Sequence, residues 1–291
     1  MKTLIDVTVP LLTFILLAAV GLDLTPDHFA RIRRQKLVLG AGFVAPLLLL
    51  PPIAVGLVWL LQPAPDIADS LLLVAVCPIG GISNTYSYLA RASPALSVTL
   101  TAFSCLFAGI TIPIVGRALE MTLERSLQLA APMALILGQL LLMLTLPVGL
   151  GMWVRLRRAD LARRYQSTVQ RLAFVGVAIV LLLIILDNPP AFVSALPTTV
   201  PLAALFILCS MAAGWGVAAM FTNDRRDRFT LAAEFGTRNL GVAMAIAVTL
   251  LGRVEFARFA YTYFLTEIPL MLGAIVLFRR SQRTPVGCCS P

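Results

Sequence analysis

One carboxylate, Glu234, lies inside a run of apolar sequence; Arg238 follows four residues later, and Glu267 sits in the middle of a second apolar run. An acid at membrane depth is a functional-site hypothesis by default, because charge is costly in hydrocarbon. Neutral oxygens gather elsewhere. Ser83 and Asn84 follow a Pro-Ile-Gly-Gly break at 78–81, and Ser97 and Thr101, spaced i, i+4, share one helix face. Four neutral oxygen donors and one carboxylate make a reasonable shell for a hard monovalent cation, with one negative charge to balance it. Taken singly, Ser97 or Thr101 has a plainer reading, a hydroxyl bonded to its own or a neighbouring helix. Glu234 has no such plain reading.

These residues are placed by two interrupted helices. Residues 77–84 and 233–239 carry helix-breaking polar sequence where a membrane helix should be continuous, the breakers being Pro78, Gly80, Gly81 and Gly236. Broken backbone at membrane depth survives only where it lines a protein cavity. A pair of such breaks in corresponding places of two halves points to a secondary transporter's binding site. The apolar runs predict nine transmembrane helices, at 4–22, 37–61, 68–90, 94–119, 127–154, 169–186, 199–221, 229–251 and 256–278. The chain is 59% hydrophobic and 13% charged, against about 25% charged in soluble domains. The expected fold is thus an all-α polytopic membrane protein, one transmembrane unit over 1–291 with short connections.

A net charge of +9 invites a nucleic-acid reading, and the distribution of the charges rejects it. Most basic residues fall in the connections after the first, third, fifth, seventh and ninth spans, which the positive-inside rule makes cytoplasmic. The N-terminus is then outside and the C-terminus inside, with lipid headgroups beside the arginines. Lys2 before the first span could suggest a signal peptide, but no small-residue cleavage site follows and the span reads as retained. The arginine-rich basic set suggests a bacterial inner (plasma) membrane. The five cysteines, Cys288 and Cys289 among them, show no metal spacing, and His28 has no partner motif. With these directions the third and eighth spans run opposite ways, so a repeat containing them is inverted, with halves 1–119 and 120–291. Both breaks lie about 10–14 Å in from one side by helical rise and are able to meet.

The motifs Cys77-Pro78-Ile79-Gly80-Gly81-Ile82-Ser83-Asn84, Tyr88-Leu89-Ala90-Arg91, Leu96-Ser97-Val98 with Thr101, and Glu234-Phe235-Gly236-Thr237-Arg238-Asn239 resemble the two crossing regions of the bile acid:sodium symporter family. The segment 21–29 resembles that family's motif before the first basic loop. The resemblance implies a core domain (37–119 and 229–278) moving against a panel domain (4–22 and 127–221), and sodium-driven uptake of organic anions. It implies that Ser83, Asn84, Ser97, Thr101 and Glu234 hold a first sodium ion, and that Asn239, with Gly81 and Ile82, meets the substrate. Family members place glutamines in a second sodium site; here those positions hold Pro46 and Arg238.

Arg238 then has three readings, in order of preference: a tethered cation replacing the second sodium, an ion pair with Glu267, and a clamp on a substrate carboxylate. The expected function is a sodium-coupled carrier of a small organic anion working by alternating access, with no protein partner implied. A sodium-independent or proton-coupled carrier of the same fold is the alternative. An intramembrane enzyme using Glu234 and Glu267 is remote, since no nucleophile–base set accompanies them. A channel lacks a filter motif, and a ligand sensor lacks a signalling domain.

Overall fold

The computed structural model describes residues 2–23, 35–123, 138, 140–187, 189–253 and 255–283. The described elements are helices: α1 (Lys2–Asp23), α2 (Lys36–Leu61), α3 (Pro65–Val76), α4 (Ile82–Leu89), α5 (Pro94–Leu123), α6 (Leu146–Arg157), α7 (Ala159–Asp187), α8 (Pro189–Phe221), α9 (Arg225–Gly236), α10 (Leu240–Ala245) and α11 (Glu255–Arg283). A π turn, Leu141–Thr145, leads into α6, and another, Ile246–Leu250, extends α10. The expected spans 68–90 and 229–251 are each two helices with an interruption. The start of the expected span 127–154 lies outside the described residues, as do residues 24–29 of the first loop, His28, Cys288 and Cys289.

Four described stretches, Lys36–Leu61, Pro94–Leu123, Phe192–Phe221 and Phe259–Gln282, are long and apolar enough to cross a bilayer. Their outward faces carry Leu37, Leu48, Trp59, Ile114, Val193 and Leu277, all exposed, while Glu234, Glu267 and Arg238 are buried within. Apolar outside and polar inside is the arrangement hydrocarbon demands, and the protein is a multi-pass membrane protein. Helices α1 and α6 approach closely at Gly21 and Gly151: a Cβ on either glycine would run into the backbone of the other helix. Small residues at such crossings let helix backbones touch where lipid offers no hydrophobic drive.

Helix α8 packs along α2, α9 and α11. The sequence-based grouping placed 199–221 with the panel. The cause of the packing is local: the Thr222–Asp224 linker is a tight turn, in which Asp224 Oδ1 accepts from the Arg226 N–H at 2.8 Å and Thr222 Oγ1 from the Asp224 N–H at 3.1 Å. So short a turn lays α8 antiparallel against α9.

The first helices of the two interrupted pairs, α3 and α9, are each 12 residues long with an acid in the first turn. Each acid reaches the segment that follows the other interrupted pair. Asp227, on α9, accepts from Ser93 Oγ at 2.5 Å and from Gln35 Nε2 at 3.2 Å, and Thr230 Oγ1 accepts from the Ser93 N–H at 3.0 Å. Asp66 and Asp69, on α3, pair with Arg253, the Asp69 contact being 3.4 Å; the guanidinium stacks 4.3 Å from the Phe256 ring centroid.

Candidate ion and substrate site

Proline and an orphaned helix end leave unpaired backbone in the middle of the molecule, and the two interruptions satisfy each other. Cys77 and Thr237 end their helices with ψ of 155° and 115°, so both chains leave in extended conformation. They run antiparallel. The Gly80 N–H donates to Thr237 O at 3.2 Å, the Asn239 N–H donates to Pro78 O at 2.8 Å, and Ile79 stands opposite Arg238. Pro78 has only a carbonyl to offer and uses it. A Cβ on Gly80 would stand 2.6 Å from Arg238 O, so this close approach needs glycine. Side chains complete the pairing: Ser104 Oγ accepts from the Ile79 N–H at 2.9 Å, the Cys105 thiol faces Ile79 O at 3.6 Å, and the Tyr263 hydroxyl donates to Gly236 O at 2.7 Å.

The second interruption is shorter than the sequence suggested. Helix α9 continues through Glu234 to Gly236, so Glu234 lies in a helical last turn and Gly236 ends the helix; only 237–239 is extended. Gly81 precedes α4 with ordinary helical dihedrals, and Ser83 and Asn84 occupy the first turn of that helix.

Ser83, Asn84, Ser97, Thr101 and Glu234 come together beside the crossing. Ser97 Oγ lies 2.8 Å from Asn84 Oδ1 and within hydrogen-bond reach of Glu234 Oε1. Thr101 Oγ1 lies 3.1 Å from Glu234 Oε2, 3.3 Å from Asn84 Oδ1 and 3.2 Å from Ser83 Oγ. The plain reading of a membrane hydroxyl holds for Thr99, one turn face away, whose Oγ1 donates to Ala95 O at 2.7 Å. Ser97 and Thr101 instead bond across to the neighbouring helices α4 and α9, at Asn84, Ser83 and Glu234. Four of the five are fully buried, and Asn84 alone is partly open, toward a cavity. The donor set is all hard oxygen. Among the described residues no cluster of three His, Cys, Asp or Glu side chains exists, which leaves no softer metal site there.

The far side of the crossing is different. Arg238, 3% exposed, donates through Nη2 to Cys77 O, a carbonyl freed by the helix break, while Nε and Nη1 meet no acceptor. Neither Glu234 nor Glu267 forms a salt bridge with it, so the direct Arg238–Glu267 bridge weighed from the sequence is absent. Glu267 is fully buried; Arg238, Tyr86 and Thr237 surround its carboxylate, yet neither carboxylate oxygen, the Tyr86 hydroxyl nor the Thr237 hydroxyl completes a hydrogen bond.

A cavity of about 150 Å³ opens between α1 and the crossing. Leu16, Ala19, Val20 and Asp23 form its α1 wall; Gly80, Gly81, Ile82, Asn84, Arg238, Asn239 and Glu267 lie across it. Asn239, expected to face substrate, lines this cavity with its side chain already engaged: Oδ1 caps α10 from the Val242 N–H at 3.1 Å, and Nδ2 faces Cys105 Sγ at 3.8 Å. Pro46 is buried in α2 and offers no polar side-chain atom. Sequence reasoning missed Ser104, Cys105, Tyr86, Thr237 and Tyr263. For the first two a signal existed: Ser97, Thr101, Ser104 and Cys105 repeat at i, i+4, i+7, i+8, one face of α5.

Residues 9–195 match the sodium bile acid symporter family. The uncharacterized sodium-dependent transporter YocS of Bacillus subtilis is 24% identical over 233 residues, covering 80% of this chain and 71% of its own length. The probable sodium/metabolite cotransporter BASS1 of Arabidopsis thaliana is 27% identical over 245 residues, 84% of this chain and 58% of the plant protein. Sodium/bile acid cotransporter 4 of Mus musculus is 28% identical over 189 residues, 62% of this chain and 41% of the mouse protein. The chain thus spans less than two thirds of these plant and mouse relatives. The family and its named members are transporters and not enzymes, which removes the reading of Glu234 and Glu267 as a catalytic pair. With two broken helices crossing beside a cage of buried oxygens, and a family match over more than half its length, the chain belongs to the sodium bile acid symporter family.

Proposed function

We propose that this protein is a secondary active transporter that carries a small organic anion by alternating access, coupled to sodium at Ser83, Asn84, Ser97, Thr101 and Glu234. One observation carries the reading: five oxygen-bearing side chains from α4, α5 and α9 converge on one buried point where they bond chiefly to one another. Hydrogen bonds among mutually acceptor-rich groups are what a monovalent cation would replace on entering. Arg238 stands in for a second cation: its charge is permanent, and it is fixed to the crossing by Cys77 O. A second reading, a clamp on the substrate carboxylate, is favoured by its place in the cavity wall with Nε and Nη1 unengaged.

Packing supports a division into working parts. The core comprises α2–α5 and α8–α11, and the panel α1, α6 and α7, with the cavity where α1 meets the crossing. The nine-span topology, N-terminus outside and C-terminus cytoplasmic in a bacterial inner membrane, rests on charge distribution. The reciprocal ties of Asp227 and of Asp66/Asp69 support an inverted repeat, since one contact generates the other when the halves are exchanged.

The test needs no substrate. Thermal unfolding of purified protein is compared in sodium and in potassium at equal ionic strength, for wild type, Glu234→Gln and Arg238→Gln. A ligand bound only by the folded state stabilises by RT ln(1 + [L]/Kd), about 2.7 kcal/mol at a hundredfold excess over Kd. Wild type should show a sodium-specific rise that Glu234→Gln abolishes. Arg238→Gln should respond to sodium more steeply, as a second ion enters. Equal melting of wild type in both salts would overturn sodium coupling.

A further inference from the structure

The buried centre does not balance its charges. Around the crossing stand Glu234, Glu267 and Arg238, two acids and one permanent cation, none of them in a salt bridge. A single cation in the proposed cage, on which this step rests, brings the three groups to neutrality. An organic anion in the adjoining cavity then leaves one uncompensated negative charge in a low-dielectric interior, where such charge is severely unfavourable.

The groups facing Glu267 show where compensation enters. From α4 comes the Tyr86 hydroxyl, from the crossing Thr237 and Arg238, and from its own helix Tyr263. Across the cavity α1 presents Asp23, which accepts from Gln166 Nε2. Of the acids on elements packed against α11, Asp66 and Asp69 on α3 are engaged at the far end with Arg253, and Asp227 on α9 with Ser93 and Gln35. Among the described residues the cation facing Glu267 is Arg238, which holds its position on Cys77 O instead. Both carboxylate oxygens are closed to water-sized contact although the residue forms part of the cavity wall. An ammonium or metal ion needs a surface to approach. A proton does not.

We propose that Glu267 is a proton-binding site of the transport cycle, loaded from and released to water in the α1–crossing cavity. On loading, water admitted from the cavity as the carrier rearranges brings a hydronium ion to Glu267: one hydronium O–H bond breaks as an O–H bond forms at one carboxylate oxygen, and the water left behind returns to the cavity. The neutral carboxyl then donates to one neighbouring hydroxyl, Tyr86 or Thr237, and accepts from the other, so four unengaged atoms satisfy one another. Release is the reverse. The loaded carrier holds one cation, one proton and one anion, and its buried centre is neutral.

Infrared difference spectroscopy on protein in lipid at neutral pH tests this directly. Wild type should show a protonated-carboxyl band that shifts on transfer to D2O without unfolding. Glu267→Gln should lose the band and Glu234→Gln should keep it. Tyr86→Phe and Thr237→Val, which leave the acid in place, should move the band, and they carry the test where Glu267→Gln does not fold. A band missing from wild type, untouched by all three substitutions around Glu267, or fixed in D2O until the protein unfolds overturns the proposal. Failure of the cation reading shows separately: wild type would then lack the sodium-specific thermal shift while keeping the infrared band.

Discussion

The two ends of the crossing are tied by the same device made from different chemistry. At one end a buried acid, Asp227 at 4% exposure, is held by neutral donors, Ser93 and Gln35. At the other, Asp66 is largely open, its side chain 57% exposed, and it is held with Asp69 by the charged Arg253. Water at the Arg253 guanidinium, 24% exposed, and at Asp66 accounts for the difference, although Asp69 beside them is as buried as Asp227. A dry carboxylate next to a guanidinium would need two ions desolvated, a cost that can exceed the attraction gained; hydroxyl and amide donors stabilise the one charge without adding another. Where solvent reaches, an ion pair costs little to assemble and contributes little. Position matters as well. Asp227, Thr230 and Glu234 follow one face of α9 at i, i+3 and i+7, and meet Ser93 and Ser97 on the neighbouring chain in the same order. The dry tie therefore sets the register of the proposed cation cage, whereas the wet tie closes a loop.

Removing what both ties serve should have the largest effect. Gly80→Val places a side chain 2.6 Å from Arg238 O and forces the crossing strands apart. Two buried backbone bonds are lost, at about 1–3 kcal/mol for each group left unsatisfied, and more where lipid replaces water. The expected outcome is a large fall in the thermal midpoint and loss of any sodium-specific shift. Gly81→Ala is the control: a Cβ there meets only Val20 Cγ2, at 3.6 Å, and the midpoint should hardly move. Equal damage from both substitutions would mean that the crossing tolerates neither and that the close approach at Gly80 is not the cause.

Much of this centre was legible in the sequence, and its gaps have physical causes. Pro78, Gly80 and Gly81 announced the first break because proline and glycine act locally. Ser83, Asn84, Ser97, Thr101 and Glu234 were the five that converge. The end of α9 was placed too early because Glu-Phe-Gly is compatible with a helix; the extended ψ at Thr237, which no local residue type dictates, ends it. For Arg238 the sequence reading ranked a tethered cation first and an ion pair with Glu267 second. Its partner is the Cys77 carbonyl, available only because the break orphans it, and composition does not reveal which broken end faces which side chain. Asp227 and Asp66 went unread because an acid in a helix's first turn has an ordinary explanation in the helix dipole. The packing of α8 along α9 follows from a three-residue turn, which chain order alone does not reveal.

The dry tie comes next in size. Asp227→Ala leaves Ser93 Oγ and Gln35 Nε2 without their acceptor, and a buried hydrogen bond to a charged group is worth about 1.5–3 kcal/mol. The midpoint should fall, and the sodium concentration giving half of the thermal shift should rise, because Ser97 sits one turn beyond Ser93 and loses its register against Glu234. Ser93→Ala removes one donor and should show a weaker version of both effects. If stability falls with the sodium midpoint unchanged, the tie is only structural and the register argument fails.

The smallest effect belongs to the wet tie, and its smallness sharpens the contrast. Asp66→Ala removes one of two carboxylates from Arg253; the other, Asp69, remains at 3.4 Å with its side chain 6% exposed, and the Phe256 ring still supports the guanidinium. An exposed pair contributes about 0–1 kcal/mol, and at about 1 M salt the screening length shrinks to about 3 Å, comparable to the contact itself. The difference between wild type and Asp66→Ala should therefore be small in dilute buffer and should vanish in concentrated potassium chloride, with no change in the sodium midpoint. Asp227→Ala, whose bonds are dry, should keep its full effect in the same salt. Should both substitutions lose their effect together, solvent reaches Ser93 and Asp227 too, and the two ends of the crossing are held by one chemistry after all.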